Sequence, residues 1–436
     1  MEYAETMTKA KSQKHSKKRH GESKQVPDAP PKAGSAPMNR TLGAAKAAKQ
    51  DEFYTQYVDI QKEVEAYLEF DPDTFRSKVV YCNCDDPFES NFFRYFAANF
   101  NKLGLKRLVS TSYDGSPIAG QGYLFPEYNE GNGKRKKPKA LAVILDQVKD
   151  ENGDGAINIE DVKLFLKRNK ASRIALKGDD HYGGGDFRSA ECLALLKEAD
   201  IVVTNPPFSL FKEYVAQLVE YEKKFLIIGN TNSITYLEIF PLIRDNRIWL
   251  GCTNFNVGMF FKVPDDWERF HHIDQETGWK IARVSTSCWY TNLDHGRRHE
   301  PLNLMTMAEN LKYSKNLRGK STYERYFNFN AIDVGTYKEI PSDYDGIMGV
   351  PVTFIDKYNP EQFEIVGNSD DGAMMREIGV RALGQEFISA YRDRGGTGHY
   401  SPGMRMLGLL EPQARVIFKR ILIRHRNPQS AKGKKK

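Results

Sequence analysis

The 436-residue chain has no long hydrophobic run. No apolar stretch approaches the roughly 18 residues that a membrane span requires, which predicts a protein without transmembrane helices. Cysteine is scarce. Cys82, Cys84, Cys192, Cys252 and Cys288 are odd in number and lack the paired spacing of a zinc site. Reduced thiols in a cytoplasmic protein are the simplest expectation. There is no Walker loop and no nucleophile elbow, so the NTPases and hydrolases built on those devices are excluded. The beginning of the chain is polar and lysine-rich and does not read as a secretory signal. His271, His272, His295 and His299 have no convincing metal partners and read as residues of the surface or of the C-terminal region.

What is present describes a globular protein with a basic bias. The hydrophobic fraction is 40% and the charged fraction 28%, enough for a sizeable core. The net charge of +7 mildly favours a polyanionic partner. Much of the excess lies at the ends. Residues 1–44 and 427–436 read as disordered basic tails, whose attraction to phosphate would fade with salt.

Between the tails the pattern alternates. A helix is expected over 57–70, with Val58, Ile60, Val64 and Leu68 at helical spacing, then a strand over 78–82. A helix over 91–103 closes at Gly104, and a second strand follows over 105–111. This is the start of a parallel α/β sheet. The charged segment 126–170 reads as an insertion. Strands resume at 200–204 and 224–229. A helix over 236–244 should kink or split at Pro241. Residues 247–250 and 258–263 read as a further pair of strands, and 287–290 as the strand closing the sheet. From 297 the texture shifts to Arg, Tyr and Asn. The expected division is therefore one domain over 45–296, carrying the insertion, and another over 297–426.

The most informative feature is Asn205-Pro206-Pro207-Phe208, between the apolar strand Ile201–Thr204 and a helix expected over 209–221. Open α/β sheets place chemistry at the carboxyl ends of their strands. The Asn side-chain oxygen and a neighbouring backbone carbonyl can both accept from one NH2 group. That draws the nitrogen lone pair out of conjugation and makes it nucleophilic. The prolines stiffen the loop, and Phe208 offers a face on which a base can stack. Such a transfer runs on positioning and electrostatics.

These residues resemble the motif of the amino-group DNA methyltransferases. More narrowly, the chain resembles the EcoRI-type adenine-specific methyltransferase family. The closer likeness is carried by 51–56 (DEFYTQ), 79–87 (VVYCNCDDP), 185–189 (GDFRS), 199–211, 225–230 and 343–351. The resemblance implies a Rossmann-like, mostly parallel methyltransferase sheet with helices on both faces, followed by an α+β target-recognition region. It implies S-adenosylmethionine as methyl donor and an adenine N6 in double-stranded DNA as acceptor. Asn205, Pro206, Pro207 and Phe208 would be catalytic. Phe53, Tyr54 and Thr55 would pack on the methionine end of the cofactor, and Cys84, Asp85 and Asp86 would line the first turn. Asp114 would reach the ribose, while Asp186 and Phe187 would hold the adenine. The first turn departs from the wider superfamily because it has no glycine.

Duplex DNA hides the adenine amino group, so the base would have to be flipped out. The C-terminal region has residues suited to reading DNA, among them Arg297, Arg318, Arg325 and Arg392 interleaved with Tyr313, Tyr323 and Tyr391. A monomer is expected, with a cognate restriction endonuclease as a candidate partner. Residues 150–161 also follow a calcium-loop pattern, with Asp150, Asn152 and Asp154 as ligands and Asp161 in place of the usual terminal Glu. Alternatives to the adenine reading are another planar amino group (cytosine N4, RNA adenine, protein glutamine) or an inactive calcium-binding scaffold on DNA.

Overall fold

The computed structural model describes residues 54–85, 87, 90–113, 140–155, 158–169, 172–263, 267–268, 270–275 and 277–429. Its strands are, in chain order, β1 (Tyr54–Thr55), β2 (Val79–Cys82), β3 (Arg107–Thr111), β4 (Leu141–Leu145), β5 (Arg173–Ala175), β6 (Ile201–Thr204), β7 (Lys224–Asn230), β8 (Trp249–Leu250), β9 (Met259–Lys262), β10 (His272–Ile273), β11 (Lys280–Val284), β12 (Ser287–Thr291), β13 (Ala331–Asp333), β14 (Ile347–Pro351), β15 (Phe363–Asn368), β16 (Gly408–Leu409), β17 (Arg415–Val416) and β18 (Arg420–His425).

The main sheet has eight strands in the order β5-β4-β3-β2-β6-β7-β12-β8. The central four are mutually parallel. Only β4 and β12 run the other way, so six of the eight strands share one direction. The order reverses between β2 and β6. Connections leave these two neighbours toward opposite flanks and open a crevice beyond their carboxyl ends.

Apolar side chains alternate across this sheet, as a strand period of two requires. On one face Val80, Cys82, Leu108, Val203, Leu226 and Trp289 pack beneath the helices Tyr57–Phe70, Asn91–Ala98 and Ile159–Arg168. On the other, Tyr81, Val109, Val202, Phe225, Ile227 and Tyr290 meet the helices Ala190–Glu198 and Phe211–Glu220. The result is the layered α/β architecture expected from the strand–helix alternation.

Several elements differ from the sequence reading. The segment 126–170, read as an insertion, contributes β4, which pairs with β3 in the body of the sheet. The helix expected over 91–103 breaks into Asn91–Ala98 and Phe100–Leu103, and Gly104 ends it in the left-handed conformation at φ 63°. Pro241 starts the short helix Phe240–Arg244 instead of kinking a longer one; the first turn tolerates a missing N–H. β8 and β9 do not pair with each other. β8 forms the edge of the main sheet, while β9 joins a separate antiparallel sheet, β1-β9-β11-β10. The expected helical stripe on Tyr57–Phe70 is rotated: Val58 is exposed, and Asp59 and Glu63 turn inward with Ile60 and Val64.

The C-terminal region forms a third sheet, β13-β14-β18-β15, with the small hairpin β16-β17. Part of its core is its own, with Tyr326, Met375, Leu407, Leu409 and Leu422 in one cluster and Leu383, Phe387 and Ile388 in another. Phe354, Ile355, Phe363, Ile365 and Ile421 share one cluster with Ile239, Phe240, Ile243 and Leu250 of the first region. Residues 1–53 and 430–436, which hold most of the expected basic tails, lie outside the described residues.

Candidate active site

The end of β6 and the turn after β2 are clipped together at the crevice. The Thr204 hydroxyl contacts both the Asn83 carbonyl and the Asp85 carboxylate. Asp85 is buried and also accepts from the Ser90 hydroxyl at 2.8 Å, while its backbone carbonyl accepts from Ser110 of β3 at 2.7 Å. Asn83 Oδ1 accepts from the Cys84 N–H at 2.9 Å and from Thr111 Oγ1 at 3.1 Å. The carboxyl ends of three adjacent strands thus meet around one turn, immediately before Asn205.

The glycine-free turn solves its geometry at Cys84. That residue takes the left-handed conformation, φ 64°, which non-glycine residues adopt rarely. Ser90 then caps the helix Asn91–Ala98 by accepting from the Phe92 N–H at 3.1 Å. The turn therefore passes into a helix N-terminus beside the crevice.

After Thr204 the chain runs through Asn205 and Pro206, both buried, and Pro207, which is half-buried. A 3-10 turn, Phe208–Leu210, leads into the helix Phe211–Glu220. Phe208 is only 6% exposed and belongs to the buried cluster with Phe92, Val203 and Trp289. Phe211 packs over Gly229 of β7, where a Cβ would lie 2.5 Å from its ring. That close approach fixes the helix directly behind the motif.

A second wall comes from 183–189. Gly185, at φ 75°, lies so close to the end of β3 that a Cβ there would fall 1.8 Å from the Ser112 carbonyl. This contact brings Asp186 and Phe187 to the sheet edge. Asp186 is held by Arg188 through bonds of 3.0 and 2.8 Å. The Phe187 ring is 3% exposed and meets Tyr214 edge-on at 4.9 Å.

On the β1 side, Thr55 pairs with Phe261, and its carbonyl accepts from Asn91 at the start of the next helix at 2.8 Å. The Tyr54 backbone pairs with Lys262. Phe53, Asp86 and Asp114 lie outside the described residues. Thr55 Oγ1 and Asn83 Nδ2 are buried and have no hydrogen-bond partner among the described residues. Buried polar groups without partners are costly, which makes these two atoms candidates for contact with a bound polar ligand.

Comparison with known proteins settles the family. A family model described as "Adenine-specific methyltransferase EcoRI" matches residues 41–426. The chain belongs to this family. The Escherichia coli Type II methyltransferase M.EcoRI is 44% identical over 338 residues, 75% of this chain and 89% of that protein. M.MpnI of Mycoplasma pneumoniae is 34% identical over 74% of this chain and 83% of its own length. M.MgeORF184P of Mycoplasma genitalium is 33% identical over 74% and 84%. No solved structure matches the chain significantly. As a member of the EcoRI methyltransferase family, the protein is a site-specific DNA adenine methyltransferase that uses S-adenosylmethionine.

In this family member the calcium-like loop is closed by its own hydrogen bonds. Asp161 accepts from three backbone N–H groups, of Glu151, Asn152 and Asn158, and caps the helix that follows. Those bonds also hold its carboxyl below the ordinary range. Asp150 accepts from Gly153 and Gly155, and Asn152 from Asp154. Among the described residues no group of three or more His, Cys, Asp or Glu is arranged to hold a metal ion. The five cysteines are free thiols.

His295 corrects a surface assignment. It is buried edge-on to Tyr67, donates from Nε2 to the Leu250 carbonyl at 3.0 Å, and burial pushes its pKa down to about 4. His271 and His272 are exposed, as read.

Three residues with roles here carried no role in the sequence reading. Thr204 and Asn83 join the strands, and Arg188 holds Asp186. Their signal was polarity at the ends of apolar strands and a guanidinium two residues from a carboxylate. Glu63 was hidden more deeply, as a carboxylate on a buried helix face.

Proposed function

We propose that Asn205, Pro206, Pro207 and Phe208 hold a flipped-out adenine for methylation at N6. The Asn205 side-chain oxygen and an adjacent main-chain carbonyl accept from the amino group. Pro206 and Pro207 keep those acceptors from moving, and Phe208 forms the floor of the pocket. The observation that carries this reading is the Thr204–Asn83–Asp85 clip, which ties the catalytic motif to the first turn of the sheet. Nucleophile and methyl donor would then meet across one crevice.

The donor site in this reading uses Thr55, Cys84, Asp85, Asp186 and Phe187, with Phe53, Tyr54, Asp86 and Asp114 as its further members. When bound, S-adenosylmethionine supplies an electrophilic methyl group on a sulfonium. The protein's part is to exclude water, orient the amino group and fix the adenosyl end. The Asp85 carboxylate is committed to Ser90 and Thr204 and acts by shaping the turn. Asp161 completes the capping box of the helix Ile159–Arg168 and is given no role in the transfer.

Residues 297–426 would read the DNA site. The enzyme would act as a cytoplasmic monomer that protects DNA from a cognate restriction endonuclease. Asn205→Ala tests the central assignment. Methyl incorporation into DNA should fall below detection while calorimetric cofactor affinity stays within a few-fold of the parent. Full activity in that variant would refute the mechanism.

A further inference from the structure

Asp186 is gripped in a way that leaves a defined acceptor. Its Oδ1 accepts from the Arg188 backbone N–H at 2.9 Å and from Arg188 Nε at 3.0 Å. Its Oδ2 accepts from Arg188 Nη2 at 2.8 Å. A carboxylate oxygen has about two lone-pair sites, so Oδ1 is filled and Oδ2 retains one site for a further donor. The guanidinium is itself fixed from several sides. Its carbon lies 4.6 Å from the Tyr182 ring centroid and 5.1 Å from that of Phe187. Its Nη1 donates to Glu213 Oε2 at 3.0 Å. Glu213 belongs to the helix Phe211–Glu220, which starts three residues after Phe208. Gln217 of that helix also donates to the Phe187 carbonyl at 3.1 Å, and Tyr214 packs on the Phe187 ring.

We propose that Arg188 is a positioning residue that presents the remaining lone pair of Asp186 Oδ2 to the exocyclic amino group of the cofactor's adenine, and that Glu213 fixes Arg188 from the catalytic helix. The proposal rests on the assignment of Asp186 to that amino group. A two-point guanidinium–carboxylate fork sets the carboxylate plane, which a single ammonium cannot do. Arg188 is buried enough for the fork to hold: its side chain is 28% exposed, and that of Asp186 10%. Its bond to Glu213 is more open, with Glu213 58% exposed, so this tie contributes less.

The test is calorimetric binding of S-adenosylmethionine and of S-adenosylhomocysteine to the full chain without DNA. Arg188→Ala should weaken both about 10- to 100-fold, the range for a lost hydrogen bond to a charged group. Arg188→Lys should recover only part of that loss, and Glu213→Gln should cost less than Arg188→Ala. The decisive arm uses an S-adenosylhomocysteine analogue whose adenine amino group is dimethylated and cannot donate. The parent enzyme should bind it more weakly than the natural product, and Arg188→Ala should lose that discrimination. Unchanged affinity in Arg188→Ala, or equal losses for S-adenosylhomocysteine and its dimethylated analogue as a purely structural defect would give, overturns the proposal. If Arg188→Ala fails to fold, the same comparison is read on Arg188→Lys. Asp186→Asn separates the two layers. Unchanged affinity there refutes the Asp186 assignment itself. Weakened affinity there, with Arg188→Ala unaffected, refutes the role of Arg188 alone.

Discussion

Thr204 stands one residue before Asn205, outside the proposed catalytic motif. Its hydroxyl nonetheless reaches both the Asn83 carbonyl and the Asp85 carboxylate, in a site closed to water. Replacing the hydroxyl with a methyl leaves a buried carboxylate short of a donor, which costs about 1–3 kcal/mol. Thr204→Val should therefore lower the unfolding free energy by that amount, read as a lower denaturant midpoint at unchanged m. It should also reduce turnover more than cofactor affinity, because the strand end carrying Asn205 loses its tie. The tetrapeptide itself was legible because two prolines after an apolar strand have few other uses. Thr204 was not, since a threonine ending a strand is unremarkable until its neighbours across the sheet are known.

At the scale of elements, the helix Tyr57–Phe70 shows why periodicity finds a helix but can misplace its buried face. Glu63 is fully buried and accepts from the backbone N–H groups of Cys252 and Thr253 at 2.7 and 2.8 Å and from the Thr253 hydroxyl at 2.6 Å. Gly251 makes room for it: a Cβ there would lie 2.2 Å from Glu63 Oε1. Burial pushes the Glu63 pKa from 4.5 up to about 7, against the opposing pull of those donors. The folded protein thus holds this proton more tightly than the unfolded chain does. The stability from that proton is complete below pH 4.5 and is lost as pH rises through about 7. Glu63→Gln should flatten this part of the pH dependence, measured as urea midpoints across the same window. A carboxylate at a helical position reads as solvent-facing, and only the loop packed against it reveals otherwise. β4 was obscured in a similar way, because the charged sequence on both sides of Leu141–Leu145 outweighed five apolar residues.

For the whole molecule, the expected boundary near residue 297 marks a change of texture. The core nevertheless runs across it, joining Phe354, Phe363 and Ile421 to Phe240 and Ile243. Arg297 reinforces the join through Asp356 at 2.6 Å. Within the C-terminal sheet, Arg420 pairs with Asp333 at 2.8 and 3.2 Å, and Tyr326 donates to the same carboxylate at 2.5 Å. Arg420→Ala would strand a buried charge and should destabilise the fold by about 3–5 kcal/mol, read from chemical denaturation. Calorimetry of the full chain should show one cooperative unfolding transition. A chain ending at residue 296 should be insoluble, because it would expose the apolar face around Phe240. Composition could announce a second region but not that the two regions share an interior, since those contacts join residues more than a hundred positions apart.

That shared interior sets a rule for how site preference can change. In an enzyme whose recognition module is linked by a hinge, the module can be exchanged whole between relatives, and a new target sequence arrives in one step. Here a transplanted 297–426 segment would bring one side of the shared cluster, moulded to a different partner. If residues 297–426 read the DNA site as proposed, new specificity would accumulate by substitution at exposed positions of that region, with the side chains of the shared cluster held nearly constant.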